Sequence, residues 1–371
     1  MSRDLHSEPF DEGTKAKLLI FEDYVKSWLP VFLASGVVRW NKINLFDFFA
    51  GPGADVAGFK GTPLIIIYEL FPYHNHIKEK GLHVSLYFNE FDQKKCSTLK
   101  KKVEELQKKY ELPYQMRIEE EDFKNAFDKN YQLMSDQDSA NLILLDQSGI
   151  KHITPEVFQK IVNLKATDFL FFISSSTIRR FSELPTIRQY INVNKANVEA
   201  TEYYKVHRVV LDYYRSLLPS NRRYYLAPFS IKKGPNIYGL IFGSGHILGI
   251  QKFLTTCWKA DPERGEANFD IDKEKIIPGQ FGLFTGRVEQ TKKVDYFENE
   301  LRSSILQAQL VTDEDVYIFS ITNGFLPKNA RKVVKELIIE GKLKKASYHL
   351  DYKVTKPNVP KTKLELIGNA N

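Results

Sequence analysis

The chain has 371 residues and is 43% hydrophobic, with 26 Phe and 19 Tyr, so its composition excludes an intrinsically disordered protein. Its length exceeds that of one typical domain, and two domains are expected. The formal net charge of +7 is modest, and it permits a nucleic-acid partner without requiring one.

The sequence gives no sign of membrane insertion or secretion. The longest mostly apolar run, Pro63–Leu70, is much shorter than the ~20 residues that cross a bilayer, and the N-terminus lacks the apolar core of a signal peptide. The two cysteines are too few for a disulfide scaffold, and the eight His lack metalloprotease spacing. We therefore expect a cytoplasmic protein with no membrane partner, no disulfide and no structural metal.

Helix and strand patterns alternate through the first two-thirds of the chain. Apolar residues recur at helical spacing between Thr14 and Ala34, and Ile43–Phe49 is apolar almost throughout, as in a strand buried on both faces. The next predicted elements are a helix opening at Thr62, a strand over His83–Glu90, a helix over Gln93–Tyr110, strands over Tyr114–Glu119 and Asn141–Asp146, a helix over Pro155–Val162 and a strand over Phe169–Ser174. This series predicts an α/β fold with a Rossmann-like, doubly wound, mostly parallel sheet.

The pattern of the remaining residues predicts the last strands of this sheet, followed by a second domain. Its predicted elements are a helical insertion or lid near 175–220, an antiparallel pair of Arg223–Ser230 with Asn236–Phe242, a helix over His246–Lys259, a linker over 261–290, helices over Tyr296–Leu310, Asp313–Thr322 and Pro327–Glu340, and a hairpin of Lys342–Lys345 with Tyr348–Val354. Three helices and a hairpin describe a winged helix. We therefore expect a Rossmann-like domain over 1–260 and a winged-helix domain over 291–371.

Acidic and glycine residues follow the predicted strands at the ends where open α/β sheets bind ligands. The first strand ends at Asp47 and leads into Gly51-Pro52-Gly53, and the second ends at Glu90, where a ribose diol would need an acceptor. Glu90 lies too far downstream for the dinucleotide fingerprint, whose third glycine is absent, so NAD is disfavoured. The alternatives are a plain turn at the glycines and an exposed strand-end charge at Glu90.

Two more strand ends carry carboxylates. The third strand leads to Asp122 beside Phe123, a pair suited to the amino group and ring of adenine, although acidic runs are usually solvated. The fourth strand ends at Asp146-Gln147, where a parallel-sheet enzyme directs a catalytic group into its cleft. The alternative for Asp146 is a helix cap or a turn.

In this order the motifs resemble the three-Cys-motif partner proteins, a bacterial family with a methyltransferase-like Rossmann fold. The matching pieces are the leading helix with Lys17, Tyr24 and Trp28, the run Asp47–Gly53 with Gly61-Thr62-Pro63, then Asn89-Glu90, Asp146–Gly149 and Tyr238–Ser244. The resemblance covers roughly residues 10–260, and its most specific element is Phe49-Ala50-Gly51-Pro52-Gly53.

The resemblance implies a sheet of the class I methyltransferase type and S-adenosylmethionine as cofactor. It assigns Asp47, Gly51 and Gly53 to the methionine end of the cofactor, Glu90 to its ribose and Asp122 to its adenine. The other residues implied in the cofactor pocket are Ala50, Pro52 and Thr62. Carboxylates suit these roles because they favour a sulfonium and its ammonium group and accept bonds from hydroxyls.

The resemblance also places Asp146 and Gln147 at the catalytic position. The family usually has Asp-Pro there, followed by Phe or Tyr and then Gly, whereas Gln147-Ser148 replace the Pro-aromatic pair in this chain. Methylation of a base amino group would therefore lack its usual stacking ring. The family name further implies a radical-enzyme-like partner protein with a three-cysteine motif.

Positive charge is concentrated at the C-terminus, in and after the helix Pro327–Glu340. In a winged helix this helix enters the DNA major groove. Asn329 and Arg331 lie near its start, where base edges are reached, and Lys328, Lys332 and Lys335 suit phosphates. Lys342 and Lys344 lie at the wing. Winged helices also mediate protein contacts, and that alternative stays open.

Two function hypotheses follow from the sequence. The first is an S-adenosylmethionine-dependent methyltransferase that acts on DNA or RNA. The second is a catalytically lapsed nucleic-acid-binding or adaptor protein that retains the fold to engage a partner, and the altered motif at Asp146-Gln147 motivates it. A nuclease is disfavoured, because metal-dependent cleavage requires two acidic residues and a lysine close together on neighbouring strands. The sequence shows no such pattern.

Overall fold

The computed structural model describes residues 8–146, 150–276, 280–281 and 289–367. The chain divides into two compact units, Met1–Gly249 and Ile250–Asn371. In the described residues, no helix combines the length and the apolar character needed to cross a bilayer.

The first unit is built on a seven-stranded sheet. Its strands are β1 (Lys42–Asp47), β2 (His83–Asn89), β3 (Gln115–Glu119), β4 (Ser139–Leu145), β5 (Ala166–Ile173), β6 (Tyr225–Lys233) and β7 (Asn236–Ser244). Its helices are α1 (Glu12–Leu33), α2 (Thr62–Leu70), α3 (His74–Lys80), α4 (Gln93–Lys109), α5 (Phe123–Ser135), α6 (Pro155–Val162), α7 (Ser175–Phe181), α8 (Pro185–Arg188), α9 (Lys195–Ala200) and α10 (Val206–Ser216).

The strand order is β3-β2-β1-β4-β5-β7-β6. Strands β1 to β5 are parallel, and β7 runs antiparallel to both β5 and β6. This is the order and orientation of the Rossmann-like methyltransferase fold, so the predicted fold class is confirmed. The predicted antiparallel pair at the sheet edge is also present, because β6 is the outermost strand.

Helices cover both faces of the sheet. On one face Phe46, Ile143 and Phe171 pack in a continuous core with side chains of α5, α6 and α10. On the other face Tyr24 of α1 contacts Phe242 of β7, with ring centroids 4.7 Å apart. Because neither face of the central strands meets water, their sequences are apolar runs in place of an alternation.

Helix α5 is absent from the elements that the sequence predicts. It begins after Asp122, whose carboxylate accepts the N–H groups of Lys124 at 3.0 Å and Asn125 at 3.2 Å. The helix buries Phe127 and Met134 against the sheet. The acidic run in front of it resembles a solvated loop and so conceals its N-cap signal.

The predicted insertion near 175–220 consists of α7 to α10. Ile178, Val198, Val210 and Tyr214 from these helices are buried in the same core as β5 and β7. These helices therefore complete one face of the domain.

The second unit contains three helices that follow α11 (Ile247–Ala260), a helix that begins in the first unit. They are α12 (Lys292–Leu306), α13 (Asp313–Thr322) and α14 (Pro327–Ile339). Phe297 of α12 stacks on Phe325 with ring centroids 3.8 Å apart, and the indole N–H of Trp258 donates to the carbonyl of Gly324 at 2.9 Å. The three helices agree with the predicted winged helix.

The prediction of a second hairpin strand over Tyr348–Val354 is wrong. Leu343 pairs with Leu366, whereas Tyr352–Thr355 forms a 3-10 turn. The reason is the buried carboxylate of Asp313, which accepts the N–H groups of His349 and Thr362, both at 3.0 Å. Since the N–H of His349 is held by a side chain, this segment does not form the strand that the pattern suggested.

The described part of the predicted linker is folded. Arg264 is buried there and forms ion pairs with Asp270 at 2.9 Å, Glu274 at 2.8 Å and Asp272 at 3.3 Å. Ala267 and Ile271 of the same stretch are also buried. Residues 261–276 therefore belong to the second unit, and their charged composition reflects internal ion pairs.

Close packing of β5 against β7 gives the first prediction. A Cβ atom added to Gly243 would lie 2.3 Å from two ring carbons of Phe169, a buried residue, so Gly243→Ala should destabilise the protein by about 1–3 kcal/mol. Gly36→Ala is the matched control, because nothing lies within 4 Å of the added atom, and it should change stability by less than about 0.5 kcal/mol. Urea unfolding measures both, and equal effects would contradict the close approach.

Candidate functional site

The loop after β1 is a tight turn that returns the chain to the start of α2. Gly51 and Gly53 have φ values of 62° and 83°, which L side chains rarely adopt. The carbonyl of Gly53 accepts the N–H of Gly61 at 2.7 Å, and a Cβ on Gly53 would lie 2.9 Å from Leu99 Cδ1. Ala50 and Pro52 are buried in the same turn. The glycines are thus required by the backbone itself.

Asp47 is completely buried beneath this loop. The hydroxyl of Thr62 donates to one carboxylate oxygen, and the N–H of Phe49 donates to the other at 3.0 Å. Burial raises the pKa of Asp47 to about 7, although these two bonds oppose the shift. Asp47 therefore holds the loop to α2, and the direct cofactor contact that the resemblance implies stays a prediction.

Glu90 lies at the carboxyl end of β2 and joins two loops. One of its oxygens accepts the N–H of Gly51 at 2.8 Å, and the other accepts the N–H of Asp92 at 2.8 Å. Each oxygen keeps a lone pair for a further donor. The next residue, Phe91, is 73% exposed. Sequence reasoning overlooked this ring, although an aromatic residue immediately after the acidic strand end was the available signal.

Asp122 serves as the N-cap of α5, and the amide of Asn125 also donates to it. Next to it Phe49, Phe123 and His152 form a cluster of rings. The ring of Phe49 stacks on that of Phe123, with the ring centroids 5.4 Å apart. The centroid of the His152 ring lies 5.2 Å from that of Phe49 and 5.3 Å from that of Phe123. Burial lowers the pKa of His152, so its ring is predominantly neutral near pH 7. Sequence reasoning assigned no role to Phe49 or His152.

Asp146 follows β4 and forms an ion pair with Lys17 of α1. The Lys17 ammonium also lies 4.8 Å from the ring centroid of Phe172, near the end of β5. The side chains of Lys17 and Asp146 are 18% and 32% exposed. Gln147, the other predicted catalytic residue, lies outside the described residues. The sequence singled out Lys17 only as a point of resemblance, and its pairing with Asp146 depends on the fold.

The carboxyl ends of neighbouring strands thus bring together most of the predicted site. Asp47, Glu90 and Asp146 end or follow β1, β2 and β4, and these three strands are adjacent in the sheet. A separate open groove of about 570 Å³ lies beside α5 and is lined by Tyr87, Arg117 and other residues outside the predicted set. The predicted acidic residues lie at the carboxyl edge and not in this groove.

In the second unit the predicted nucleic-acid-binding residues lie on or after α14, and several already have partners. Arg331 donates to the carbonyl of Leu350 at 2.7 Å, and the oxygen of Asn329 accepts the N–H of Leu326 at 3.3 Å. Lys332 pairs with Glu298 at 2.7 Å.

The other predicted lysines of this unit differ in their surroundings. Lys328 lies 5.9 Å from the ring centroid of Trp258, Lys342 pairs with Glu340 at 3.2 Å, and Lys344 pairs with Glu365 at 2.6 Å. Lys335 is exposed and has no ion-pair partner within the described part of the chain. Lys335 is therefore the predicted phosphate contact that needs no rearrangement.

Comparison with known proteins describes both units. The family model of the GMT-like wHTH domain matches residues 270–347. The solved structure of Trm1 from Pyrococcus horikoshii with S-adenosyl-L-methionine is similar at 10% identity and a TM-score of 0.37, over 66% of this chain and 58% of that chain. This chain thus spans less than two-thirds of the Trm1 chain. No curated protein matches it.

Two further solved structures are similar to the first part of the chain. The O-methyltransferase TomG from Streptomyces achromogenes, in complex with SAM, has 11% identity and a TM-score of 0.32, over 63% of this chain and 89% of that chain. The METTL16 MTase domain has 8% identity and a TM-score of 0.26, over 60% of this chain and 66% of that chain. By its strand order and its matched family model, the chain combines a Rossmann-like, methyltransferase-type sheet with a C-terminal winged-helix domain.

The buried carboxylate of Asp47 predicts an unusual pH dependence. Its pKa of about 7 in the folded protein exceeds that of an unfolded Asp, near 3.8, so the folded state binds more protons between these values and stability falls as pH rises through them. Asp47→Asn removes the charge, and its stability relative to the wild type should increase by roughly 2 kcal/mol from pH 5 to pH 8. Urea unfolding at both pH values measures this change.

Asp55 provides a control of opposite sign. Burial raises its pKa, but the N–H groups of Phe10, Phe59 and Ala57 that it accepts lower the pKa below the usual value overall. Asp55→Asn should therefore destabilise the protein at neutral pH, with the loss fading as pH falls towards 3. A pH-independent effect of Asp47→Asn would show that Asp47 is ionised throughout this range.

Proposed function

We propose that this protein is an S-adenosylmethionine-dependent methyltransferase that acts on nucleic acid. The observation that carries the proposal is Glu90, whose carboxylate lies at the carboxyl end of β2, is tied to Gly51 of the β1 loop and retains acceptor capacity. A ribose diol needs such a group. The exposed ring of Phe91 beside it offers a surface for adenine.

The residues at this edge fit the cofactor in their chemistry. Glu90 would hold the ribose hydroxyls, Asp122 would accept the adenine amino group, and the backbone of Gly51 and Gly53 allows close approach of a ligand. When bound, S-adenosylmethionine supplies an electrophilic methyl group on its sulfonium. Asp146, partly exposed at the end of β4, would accept a hydrogen bond from the amino group of the substrate and orient it.

The nucleic-acid part of the proposal rests on the second unit. Lysines and arginines outnumber acidic residues in and after α14, and Lys328, Arg331, Lys332, Lys335, Lys342 and Lys344 are all exposed. Such side chains neutralise phosphates and release counterions. The radical-enzyme-like partner and the cytoplasmic location, both expected from the sequence, stay predictions.

A catalytically lapsed adaptor is the second candidate. The ion pair of Lys17 with Asp146 favours this candidate, because the carboxylate that would orient a substrate amino group is already paired with a lysine. Transfer of a labelled methyl group to DNA or RNA, abolished by Asp146→Ala, would eliminate this candidate. Binding of nucleic acid with no transfer, under conditions where the cofactor also binds, would support it.

Cofactor binding tests the first part of the proposal. We expect the wild-type protein to bind S-adenosylmethionine with micromolar affinity, and Glu90→Gln to weaken binding at least about tenfold, since one charge-assisted acceptor is removed. Phe91→Ala should also weaken binding. Glu105→Gln, an exposed change of the same chemistry on α4, is the control and should have no effect. Calorimetry measures the affinities, and a wild-type protein that binds neither the cofactor nor its demethylated product would refute the proposal.

Nucleic-acid binding is tested separately. Lys345, next to Lys344 at the wing, is exposed like Lys335. The double change of Lys335→Gln and Lys345→Gln should weaken binding to labelled duplex DNA or RNA and reduce the slope of log affinity against log salt by about one for each phosphate that is no longer neutralised. Lys101→Gln on α4 removes one exposed charge from the first unit and is the control. Fluorescence anisotropy at several salt concentrations measures both, and equal slopes in all proteins would argue against binding through this surface.

A further inference from the structure

A carboxylate and an aromatic ring surround a lysine ammonium at the carboxyl edge of the sheet. Lys17 pairs with Asp146 and lies 4.8 Å from the ring centroid of Phe172. An anion and the face of a ring are the two groups that proteins use to bind cations. Asp146 and Phe172 therefore have the composition of a cation-binding subsite, and Lys17 is its occupant in the free protein.

The occupant comes from a rigid element. Lys17 is on α1, a helix of 22 residues whose Leu18 and Phe21 are buried in the domain, so its Cα is fixed. Its side chain can still leave the subsite by rotating about its own bonds, since it reaches Asp146 through a flexible four-carbon stem. Both side chains retain some contact with solvent, at 18% and 32% exposure. The ion pair is thus formed in the free protein, but the Lys17 side chain can move away from Asp146.

The ion pair of Lys17 with Asp146 also affects other ionisable groups at this edge of the sheet. The buried carboxylate of Asp47 interacts with both members, since Asp146 raises its pKa and Lys17 lowers it. Tyr238 of β7 also lies near Asp146, and its pKa is raised by burial and by the charges of Asp11 and Asp146. Removal of the Lys17 charge would leave two carboxylates together at the carboxyl ends of β1 and β4. Such an edge would attract any cation that enters.

We propose that Lys17 is a tethered competitor for the Asp146–Phe172 subsite, and that it sets how strongly the site prefers the cationic sulfonium of S-adenosylmethionine over the neutral thioether of the demethylated product. This inference rests on the proposed function, in which Asp146 lies at the point of methyl transfer and so faces the sulfonium as well as the substrate amino group. With Lys17 present the subsite is already neutralised, so the sulfonium gains little from Asp146. Without it, the unpaired carboxylate favours the charged form of the ligand.

The test compares two ligands that differ by one methyl group and one charge. Calorimetry gives the affinities of S-adenosylmethionine and S-adenosylhomocysteine for the full-length wild type and for Lys17→Met, which keeps the apolar stem and removes the charge. Lys17→Met should shift the ratio of the two affinities towards S-adenosylmethionine by about tenfold. Lys17→Arg, which keeps the charge, should leave the ratio near that of the wild type.

Substitution of Asp146 completes a double-mutant cycle with Lys17. Asp146→Asn should shift the ratio towards S-adenosylhomocysteine, and the double variant with Lys17→Met should return close to the wild-type ratio, because both charges are then gone. Circular dichroism confirms that each variant is folded. If Lys17→Met changes both affinities by the same factor, Lys17 is structural and the inference fails while the proposed function stands. If the wild type binds neither ligand, the proposed function fails and the inference falls with it.

Discussion

The hydrogen bond from the N–H of Gly51 to the carboxylate of Glu90 is the interaction on which the proposed site depends. It joins the loop after β1 to the end of β2, and the second oxygen of Glu90 fastens the next loop through Asp92. A carboxylate that accepts two main-chain N–H groups is fixed in orientation. Its remaining acceptor capacity is therefore directed before any ligand arrives, which lowers the entropic cost of binding.

Below this loop, the fold buries the carboxyl group of Asp47 at a position where a side chain that cannot ionise would give a more stable protein. Asp47 has no solvent contact, and its pKa is raised to about 7 by that burial, yet its two bonds hold the turn against α2. The nearby pair of Asp146 with Lys17 adds one negative and one positive charge. The Asp146–Lys17 pair is thus neutral as a unit in the free protein, and a cationic ligand that contacts Asp146 alters that balance.

The second unit uses a buried carboxylate in a similar way. Asp313, at the start of α13, accepts N–H groups from His349 and Thr362 and so holds two segments that follow α14. The basic face of α14 is then presented on a fixed support, while Arg331 and Lys332 contribute to that support through Leu350 and Glu298. Arg331 and Lys332 thus have partners within the unit, whereas Lys335 is exposed and has no ion-pair partner in the part of the chain that the structure describes.

The amino-acid sequence by itself determined the fold class and the order of the strands, because strands buried on both faces are apolar runs that alternate with helical patterns. The same logic located Glu90 and Asp146 at strand ends. It failed for α5, whose cap at Asp122 resembled a solvated acidic run, and for the hairpin after α14, where the side chain of Asp313 competes with strand pairing.

Only the tertiary structure decided which of the acidic residues face solvent and which are buried. Asp47 and Asp146 are both carboxylates at strand ends, but one is sealed under a loop and the other pairs with Lys17, 129 residues earlier in the chain. Local patterns carry no information about such distant partners, because burial and charge pairing depend on how separate elements pack. The roles of these residues therefore emerge only from the folded sheet edge.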